Sequence, residues 1–269
     1  MLERFVILLS NLILIKYFSL VDMKHQFIIS LIIVGFFIQC KPKTSVELTN
    51  KIDPDLVLIN IEEGDRAFIG NLLLKIDSCK PILIGIDVWF IKEKDLNQDS
   101  ILIYALKTVN NDILAYALDS NGNLLRSHEK FTPFISDQGL SIPDKVNGLV
   151  SHITPIITIG NTTHEQFPLK IIKQWKPNFK SNIKVDESIP IKFTRTLDQF
   201  IHFNGSEFNK IDPFILKNKI ILMGYLGPSN EDKHFTPIRH TKEYPATEPD
   251  TYGLVMIANE IRTILDYKK

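Results

Sequence analysis

The chain has 269 residues, of which 44% are hydrophobic and 23% are charged, the proportions of a protein that folds around an apolar core. Its 31 basic residues balance its 31 acidic residues. Because a protein that binds nucleic acid through phosphate contacts carries a basic excess, no nucleic-acid partner is expected. Two cysteines are too few for a disulfide framework or a cysteine-rich zinc module.

The first forty residues are more apolar than the rest and are predicted to be a signal peptide or a membrane anchor. They contain two apolar runs, 5–20 and 27–38, separated by a polar stretch. The second run has the form of a secretory signal, because Lys24 and His25 supply a basic start before the apolar segment. In the alternative interpretation, residues 24–40 are an uncleaved anchor, although each run is shorter than the roughly 20 residues that span a bilayer core.

Two residues of this leader, Met23 and Cys40, are candidates for specific roles. Met23 lies directly before the second apolar run and is a candidate for the true start of the protein. Cys40 ends that run and is a candidate for lipidation, with the alternative that it marks the edge of a membrane helix. Cys79 is predicted to be a buried thiol, and the alternative that Cys40 and Cys79 form a disulfide is left open.

Residues 41–54 are polar, contain two prolines and are predicted to be a linker.

After the linker, the hydrophobic pattern predicts an α/β fold. The apolar runs 56–61 and 82–88 are predicted to be strands, and apolar residues at helical spacing predict a helix over 67–79 between them. This βαβ unit has two parallel strands covered by a helix. Because the runs are continuous rather than alternating, we expect both faces of the sheet to be buried. A helix over 100–109 and a strand over 113–118 follow.

The second half of the domain is predicted to contain further strands, two helices and a long loop. Residues 150–159 are predicted to be one strand with an edge position at Pro155, and residues 165–175 a helix. A buried strand ends at Gly224, and the polar loop that follows has a length typical of functional loops. Residues 254–265 have the periodicity of an amphipathic helix. The predicted architecture is a mixed, mostly parallel sheet flanked by helices.

Motifs for the common enzymatic chemistries are absent from the sequence. It contains no dinucleotide-binding, P-loop or α/β-hydrolase signature. His164 and Glu165 do not extend to a zinc-protease motif, because Pro168 stands where the second histidine is required. His234 and His240 lie in the long loop, but their spacing is weak evidence for a metal. We therefore predict no metal, no cofactor and no enzymatic activity.

Candidate ligand-binding residues follow the carboxyl ends of the predicted strands, where ligands bind in open α/β sheets. Asp87 closes one apolar strand, and its alternative role is to cap the following turn. Gly224 closes another strand. Asp232, Thr236 and Pro237 come next in the loop and form either the rim of a pocket or a local turn.

Five segments share a pattern of strands and motifs in a fixed order: DPDLVLINIEE, PILIGIDVWF, LKNKIILMG, EDKHFTPI and YGLVMIANEIRTIL. This pattern resembles the CHASE2 domain, an extracytoplasmic sensory module of bacterial receptors, over about residues 50–267. The residues that carry it are Glu62, Glu63, Gly85, Asp87, Lys217, Lys219, Gly224, Asp232, Thr236, Pro237, Gly253, Ala258 and Asn259. One departure is Asn60, which stands where the family often has an acidic residue.

The resemblance implies a sensory domain over residues 55–269, outside the cytoplasm, at the cell membrane or in the cell envelope. It implies an unknown small-molecule signal, and we expect that signal to contact Asp87, Gly224, Asp232, Thr236, Pro237 and Asn259. Members usually continue into a kinase or cyclase, whereas this sequence ends after the last domain helix. We therefore expect signalling through a separate protein, such as a kinase or cyclase.

Two other functions stay open at this stage. The first is an extracytoplasmic hydrolase that uses Asp87, Asp232 and His234, provided that the fold brings them into one cleft. The second is a structural envelope protein without a ligand.

Overall fold

A computed structural model describes residues 48–238 and 247–267. The helices are α1 (Arg66–Ser78), α2 (Leu96–Thr108), α3 (Phe167–Trp175) and α4 (Gly253–Leu265). The strands of the first half are β1 (Leu56–Asn60), β2 (Leu83–Ile86), β3 (Asp112–Leu118), β4 (Leu124–Leu125), β5 (Asp137–Leu140), β6 (Asp144–Val146) and β7 (Leu149–Ile153). Those of the second half are β8 (Ile156–Ile159), β9 (Thr162–Glu165), β10 (Ile189–Pro190), β11 (Ile201–Asn204), β12 (Ile220–Gly224), β13 (Lys233–His234) and β14 (Thr251–Tyr252).

The main sheet has the strand order β11-β1-β12-β2-β3-β4, and β5 also pairs with β3. All its pairs are parallel except that between β3 and β4, which is antiparallel. The prediction of a mixed, mostly parallel sheet flanked by helices is therefore confirmed for the part of the chain that the structure describes.

Strand β1 shows how the sheet is buried on both faces. Leu56 and Leu58 pack into the core formed with α3 and α4. Val57 and Ile59 point to the opposite face, into the core formed with α1 and α2. Successive side chains of a strand alternate between the two faces, so a continuous apolar run supplies both cores. The expectation of burial on both faces is confirmed.

Aspartate caps fix where the first two helices begin. Asp65 accepts a 2.8 Å hydrogen bond from the N–H of Phe68 and caps α1. Asp95 accepts hydrogen bonds from the N–H groups of Asn97 and Gln98 and caps α2. Such caps satisfy N–H groups that have no partner inside the helix. Because of this cap, α2 begins at Leu96 and not at residue 100, where the apolar pattern alone predicts its start.

Residues 150–159 form two strands and not one, so the prediction of a single strand is wrong. Strand β7 ends at Ile153 and pairs with β6 and β10, whereas β8 begins at Ile156 and pairs with β9. Pro155 lies between them and has no N–H with which to continue a ladder. Its carbonyl accepts a 2.9 Å hydrogen bond from the N–H of Gln166.

The predicted apolar leader, residues 1–40, lies outside the described residues, together with Met23 and Cys40. Within residues 48–238 and 247–267, no helix has the length and apolar character needed to cross a membrane. Cys79 is a buried, free thiol, as the sequence predicts.

The end of the predicted linker is attached to the domain. The N–H of Thr49 donates to the carbonyl of Thr194, and the N–H of Asp53 donates to the carbonyl of Gln199, both at 2.8 Å. Asp53 is 1% exposed. The chain therefore enters the domain along a segment that is hydrogen-bonded to it at Thr49 and Asp53.

The register of the parallel strands brings the candidate residues to one edge of the sheet. Asn60 is paired with Gly224, the last residue of β12. Asp87 follows β2 directly, and its N–H donates a 2.8 Å hydrogen bond to the carbonyl of Met223. The carboxyl ends of β1, β12 and β2 are thus neighbours, and loops and the start of α4 surround them.

Candidate functional site

Asp87 lies at the carboxyl end of β2 with its carboxylate only partly satisfied. The residue is half-buried, and its buried Oδ1 has no hydrogen-bond partner among the described residues. Burial raises the pKa of Asp87 to about 6, although a hydrogen bond with the side chain of Ser141 lowers it in part. A buried acceptor without a donor costs free energy. A proton or a cation near this carboxylate would therefore stabilise the site.

A short antiparallel pair places Asp232 against the start of α4. Lys233 is paired with Tyr252, and the N–H of Gly253 donates a 2.9 Å hydrogen bond to the carbonyl of Asp232. A Cβ atom at Gly253 would lie 2.7 Å from Asp232 Oδ1, so the carboxylate occupies the space that a side chain at Gly253 would need. Burial raises the pKa of Asp232 to about 8, and the negative charge of Asp87 adds to this shift.

Glu260 is the third carboxylate of the site, and the sequence analysis does not single it out. It lies on α4 seven positions after Gly253, about two turns along the same face. The residue is 3% exposed, and it makes no hydrogen bond or ion pair within residues 48–238 and 247–267. Burial raises the pKa of Glu260 to about 8, and the charges of Asp87 and Asp144 raise it further.

We refer to Asp87, Asp232 and Glu260 as the acidic cluster. The charge of Asp87 raises the pKa of both other members, so the three carboxylates are linked electrostatically. The fourth carboxylate, Asp144, differs because it accepts hydrogen bonds from the hydroxyl groups of Thr154 and Ser188.

The cluster is not neutralised by the basic residues around it. Among the described residues, no lysine or arginine forms an ion pair with any of its members. His234 Nε2 lies 3.9 Å from Asp232 Oδ1. However, burial and the charge of Lys145 lower the pKa of His234 to about 4, so its imidazole is uncharged at neutral pH.

No group of three His, Cys, Asp or Glu side chains in the described ranges has the geometry to hold a metal ion. The geometry instead places separate negative groups at the edge of the sheet.

An opening lies at the carboxyl ends of β1 and β11. This cavity of about 380 Å³ is lined by Glu62, Glu63 and Asn204, among others. Glu62 accepts hydrogen bonds from the N–H and hydroxyl of Ser206, and Glu63 accepts one from the hydroxyl of Tyr225. These carboxylates have partners within the protein, unlike that of Glu260.

Asn259, a predicted ligand-binding residue, is fully buried and uses its amide within the chain. Its Oδ1 accepts from the N–H groups of Thr194 (3.1 Å) and Arg195 (3.2 Å). Its Nδ2 donates to the carbonyls of Arg195 and Val255, both at 2.9 Å. The geometry gives Asn259 a structural role, which is to hold residues 194–195 against α4. Its role in ligand binding stays a prediction.

Gly224 and Thr236 also contact the chain itself. A Cβ atom at Gly224 would lie 2.8 Å from Leu254 Cδ2, so the absence of a side chain lets β12 and α4 pack closely. The Thr236 hydroxyl hydrogen-bonds to the Thr251 hydroxyl (2.7 Å) and to the carbonyl of Ile238 (2.9 Å).

The structure therefore divides the predicted site residues into two groups. Asp87 and Asp232 lie together at the sheet edge and are only partly satisfied by the protein. Gly224, Thr236 and Asn259 stabilise the chain around them. Pro237 is exposed in the loop.

The model of a family of extracytoplasmic sensory domains, the CHASE2 domain, matches residues 51–269. The chain belongs to the CHASE2 family, and its domain is a sensory module, which confirms the resemblance predicted from the five segments. Neither a curated protein nor a solved structure matches the chain.

Proposed function

We propose that the chain binds a small molecule outside the cytoplasm at the acidic cluster and transmits this binding to a separate partner protein. The observation that carries the proposal is Glu260, a carboxylate that is 3% exposed and has no partner within the described ranges. A protein retains such a costly group when the group has a task other than stability. The task that fits a sensory family is recognition of the signal.

The position of Glu260 on α4 supports coupling between ligand and output. A ligand shifts a protein between two states only if it binds one of them more tightly. Neutralising the cluster would remove the repulsion among Asp87, Asp232 and Glu260 and so favour a closer packing of α4 on the sheet. The same helix carries Arg262, whose guanidinium binds Asp53 where the chain enters the domain. A shift of α4 would therefore act on both ends of the domain.

We propose that residues 1–40 attach the domain to the membrane, either as an anchor or through a lipid on Cys40. A reporter that is active only outside the cytoplasm, fused after residue 269, tests the location. Mass spectrometry of the amino-terminal peptide distinguishes a retained anchor, a cleaved signal and a lipidated cysteine. A cytoplasmic location of the domain would contradict the proposal.

The partner is tested by crosslinking the full-length chain in its native membranes. We expect a kinase or cyclase to be captured, and the yield to change in Glu260→Gln. The matched control is Glu231→Gln, which removes an exposed carboxylate close to Asp232 in the sequence. A lone monomer in both crosslinking and gel filtration would contradict the proposed output.

We propose that the acidic cluster binds a ligand and does not catalyse a reaction. One contact nevertheless makes a hydrolase the alternative that has to be tested. His234 and Asp232 are close, with 3.9 Å between Nε2 and Oδ1, and a general base needs such a neighbour. A screen with phosphatase and esterase substrates decides this. Activity that disappears in both Asp232→Ala and His234→Ala would establish the hydrolase instead.

A further inference from the structure

The acidic cluster extends from the surface into the interior of the domain. The side chain of Asp232 is 33% exposed, Asp87 is half-buried, and Glu260 is 3% exposed. Glu260 is therefore the most deeply buried carboxylate of the three. A carboxylate that is less solvated attracts a positive charge more strongly.

Two carboxylates of the acidic cluster, those of Asp87 and Glu260, are not fully satisfied by the protein. The buried Oδ1 of Asp87 has no hydrogen-bond donor in the described part of the chain. The carboxylate of Glu260 has no donor and no cation there either. Buried carboxylates are normally paired or bound to a metal. The missing partner of this site is therefore a group that is both positively charged and a hydrogen-bond donor.

The positions of the carboxylates favour an organic cation over a metal ion as the ligand. Ca²⁺ and Mg²⁺ need several oxygen ligands within about 2.0–2.6 Å of one point, and no three acidic or histidine side chains in residues 48–238 and 247–267 meet in this way. An ammonium group has three donors that point in different directions. It can contact carboxylates that do not share a centre, and an attached carbon chain can continue towards Asp232, whose side chain is partly exposed.

We propose that the acidic cluster binds a primary alkylammonium cation, whose –NH₃⁺ lies between Glu260 and Asp87 while its carbon chain leaves past Asp232. This inference deepens the proposed function by naming the chemical class of the signal. The inference depends on the proposed function only for what binding causes, namely transmission to a partner protein. Binding itself can be measured on the purified chain alone. A second ammonium group at the far end of the ligand would lie near Asp232, so a short diamine fits better than a monoamine.

The binding has a defined dependence on pH. The carboxyls must be ionised to hold the cation, and all three have raised pKa values. The other charged or titratable groups nearby are Asp144, which acts on Glu260, and His234, which lies 3.9 Å from Asp232 and is itself influenced by Lys145. An alkylammonium group remains protonated up to about pH 10. Affinity should therefore rise between pH 5 and pH 8.5, and binding should release protons.

The test is isothermal titration of the purified full-length chain at pH 8 with putrescine. The matched neutral probe is 1,4-butanediol, which has the same carbon chain but no charge, and MgCl₂ and CaCl₂ form the metal arm. We expect putrescine to bind, the diol not to bind, and the diamine affinity to fall at least tenfold at pH 5. Glu260→Gln and Asp232→Asn should each weaken putrescine binding at least tenfold, whereas Glu231→Gln should leave it unchanged.

Several outcomes would overturn the inference. These are no binding of putrescine, equal binding of putrescine and the diol, binding of a divalent metal without the amine, or equal affinities in Glu260→Gln and Glu231→Gln. Folding of each variant is checked by its unfolding transition, so a lost interaction is not confused with a lost fold. Failure of amine binding leaves the crosslinked partner of the proposed function unaffected, and a missing partner leaves a positive titration unaffected. The two proposals can therefore fail separately.

Discussion

Arg262 Nε donates a 2.8 Å hydrogen bond to Asp53 Oδ2 and so joins the last turn of α4 to the segment through which the chain enters the domain. The Nη2 atom of Arg262 also binds Asp53, and it donates a 2.8 Å hydrogen bond to Asp55. Arg195 Nε lies 3.2 Å from Asp53 Oδ2, but its orientation makes this an ion pair and not a hydrogen bond. The beginning and the end of the described domain are thus linked through one buried carboxylate.

This link is strong because Asp53 is fully satisfied. Burial alone would raise the pKa of Asp53, but Arg262, through hydrogen bonds and its charge, and the N–H groups of Asp55 and Leu56 outweigh burial and hold that pKa below its usual value. A carboxyl with a lowered pKa stabilises the fold above its unfolded pKa of about 4, and this contribution is lost as the pH falls.

Removing the arginine should therefore destabilise the domain markedly. We expect Arg262→Met to lower the free energy of unfolding at pH 7 by about 3–5 kcal/mol, because it leaves a buried charge without its partner. Urea denaturation measures the change. The control is Lys210→Met, which breaks an exposed contact with Glu207 and should cost less than about 0.5 kcal/mol. We expect the double variant Asp53→Asn, Arg262→Met to be more stable than Arg262→Met alone. Equal losses of stability in Arg262→Met and in the control Lys210→Met would argue against the buried link.

The acidic cluster should make stability fall as the pH rises. Its carboxyls have raised pKa values in the folded chain, whereas unfolded carboxyls ionise near pH 4. Between about pH 4 and pH 8 the folded chain holds protons that the unfolded chain has released, so the free energy of unfolding decreases over this window. Urea denaturation of the ligand-free chain at intervals from pH 5 to pH 8.5 measures the slope.

Glu260→Gln should flatten this slope, because the amide does not ionise. We expect the substitution to raise the free energy of unfolding at pH 8 by about 1–3 kcal/mol, and to change it little at pH 5, where the native carboxyl is protonated. Glu231→Gln, at an exposed position, serves as the comparison. Parallel pH profiles for the native chain and Glu260→Gln would show that Glu260 is ionised throughout and that the repulsion is absent.

Local sequence patterns account for most of the central fold. The apolar run 56–61 predicts β1, because its side chains alternate between two apolar cores and every position except Asn60 is therefore apolar. The helical periodicity of residues 254–265 likewise predicts α4. The prediction for 150–159 is wrong because the apolar pattern continues across Pro155, although no N–H is available there to continue the ladder.

The site could be predicted only in part, because its members are distant in the sequence. Asp87 and Asp232 follow strand ends, and this is a local signal that parallel sheets make meaningful. Glu260 gives only a weak signal, namely a charged residue in a helix that is buried on most sides. The pair of Asp53 and Arg262 spans 209 positions, and no periodicity or motif connects residues so far apart.

Asn259→Ala tests whether the buried asparagine supports the fold or the ligand. We expect a loss of about 1–3 kcal/mol in the free energy of unfolding, because the N–H groups of Thr194 and Arg195 lose their acceptor. Asn110→Ala, at an exposed position, should stay within about 0.5 kcal/mol of the native chain. A variant with native stability but weaker putrescine binding would instead support the ligand-binding role predicted from the sequence.

Gly253→Ala tests the placement of Asp232 without removing any charge. The new methyl group would lie 2.7 Å from Asp232 Oδ1 and 2.8 Å from Oδ2, so the carboxylate must rotate away from the start of α4. Stability should change little, because the displaced atoms are the end of a partly exposed side chain and alanine favours the helix more than glycine does. Putrescine affinity at pH 8 should fall several-fold, as titration would show, while Ser100→Ala on the exposed side of α2 leaves it unchanged. Native affinity in Gly253→Ala would mean that Asp232 does not contact the ligand, and the ammonium would then be held by Asp87 and Glu260 alone.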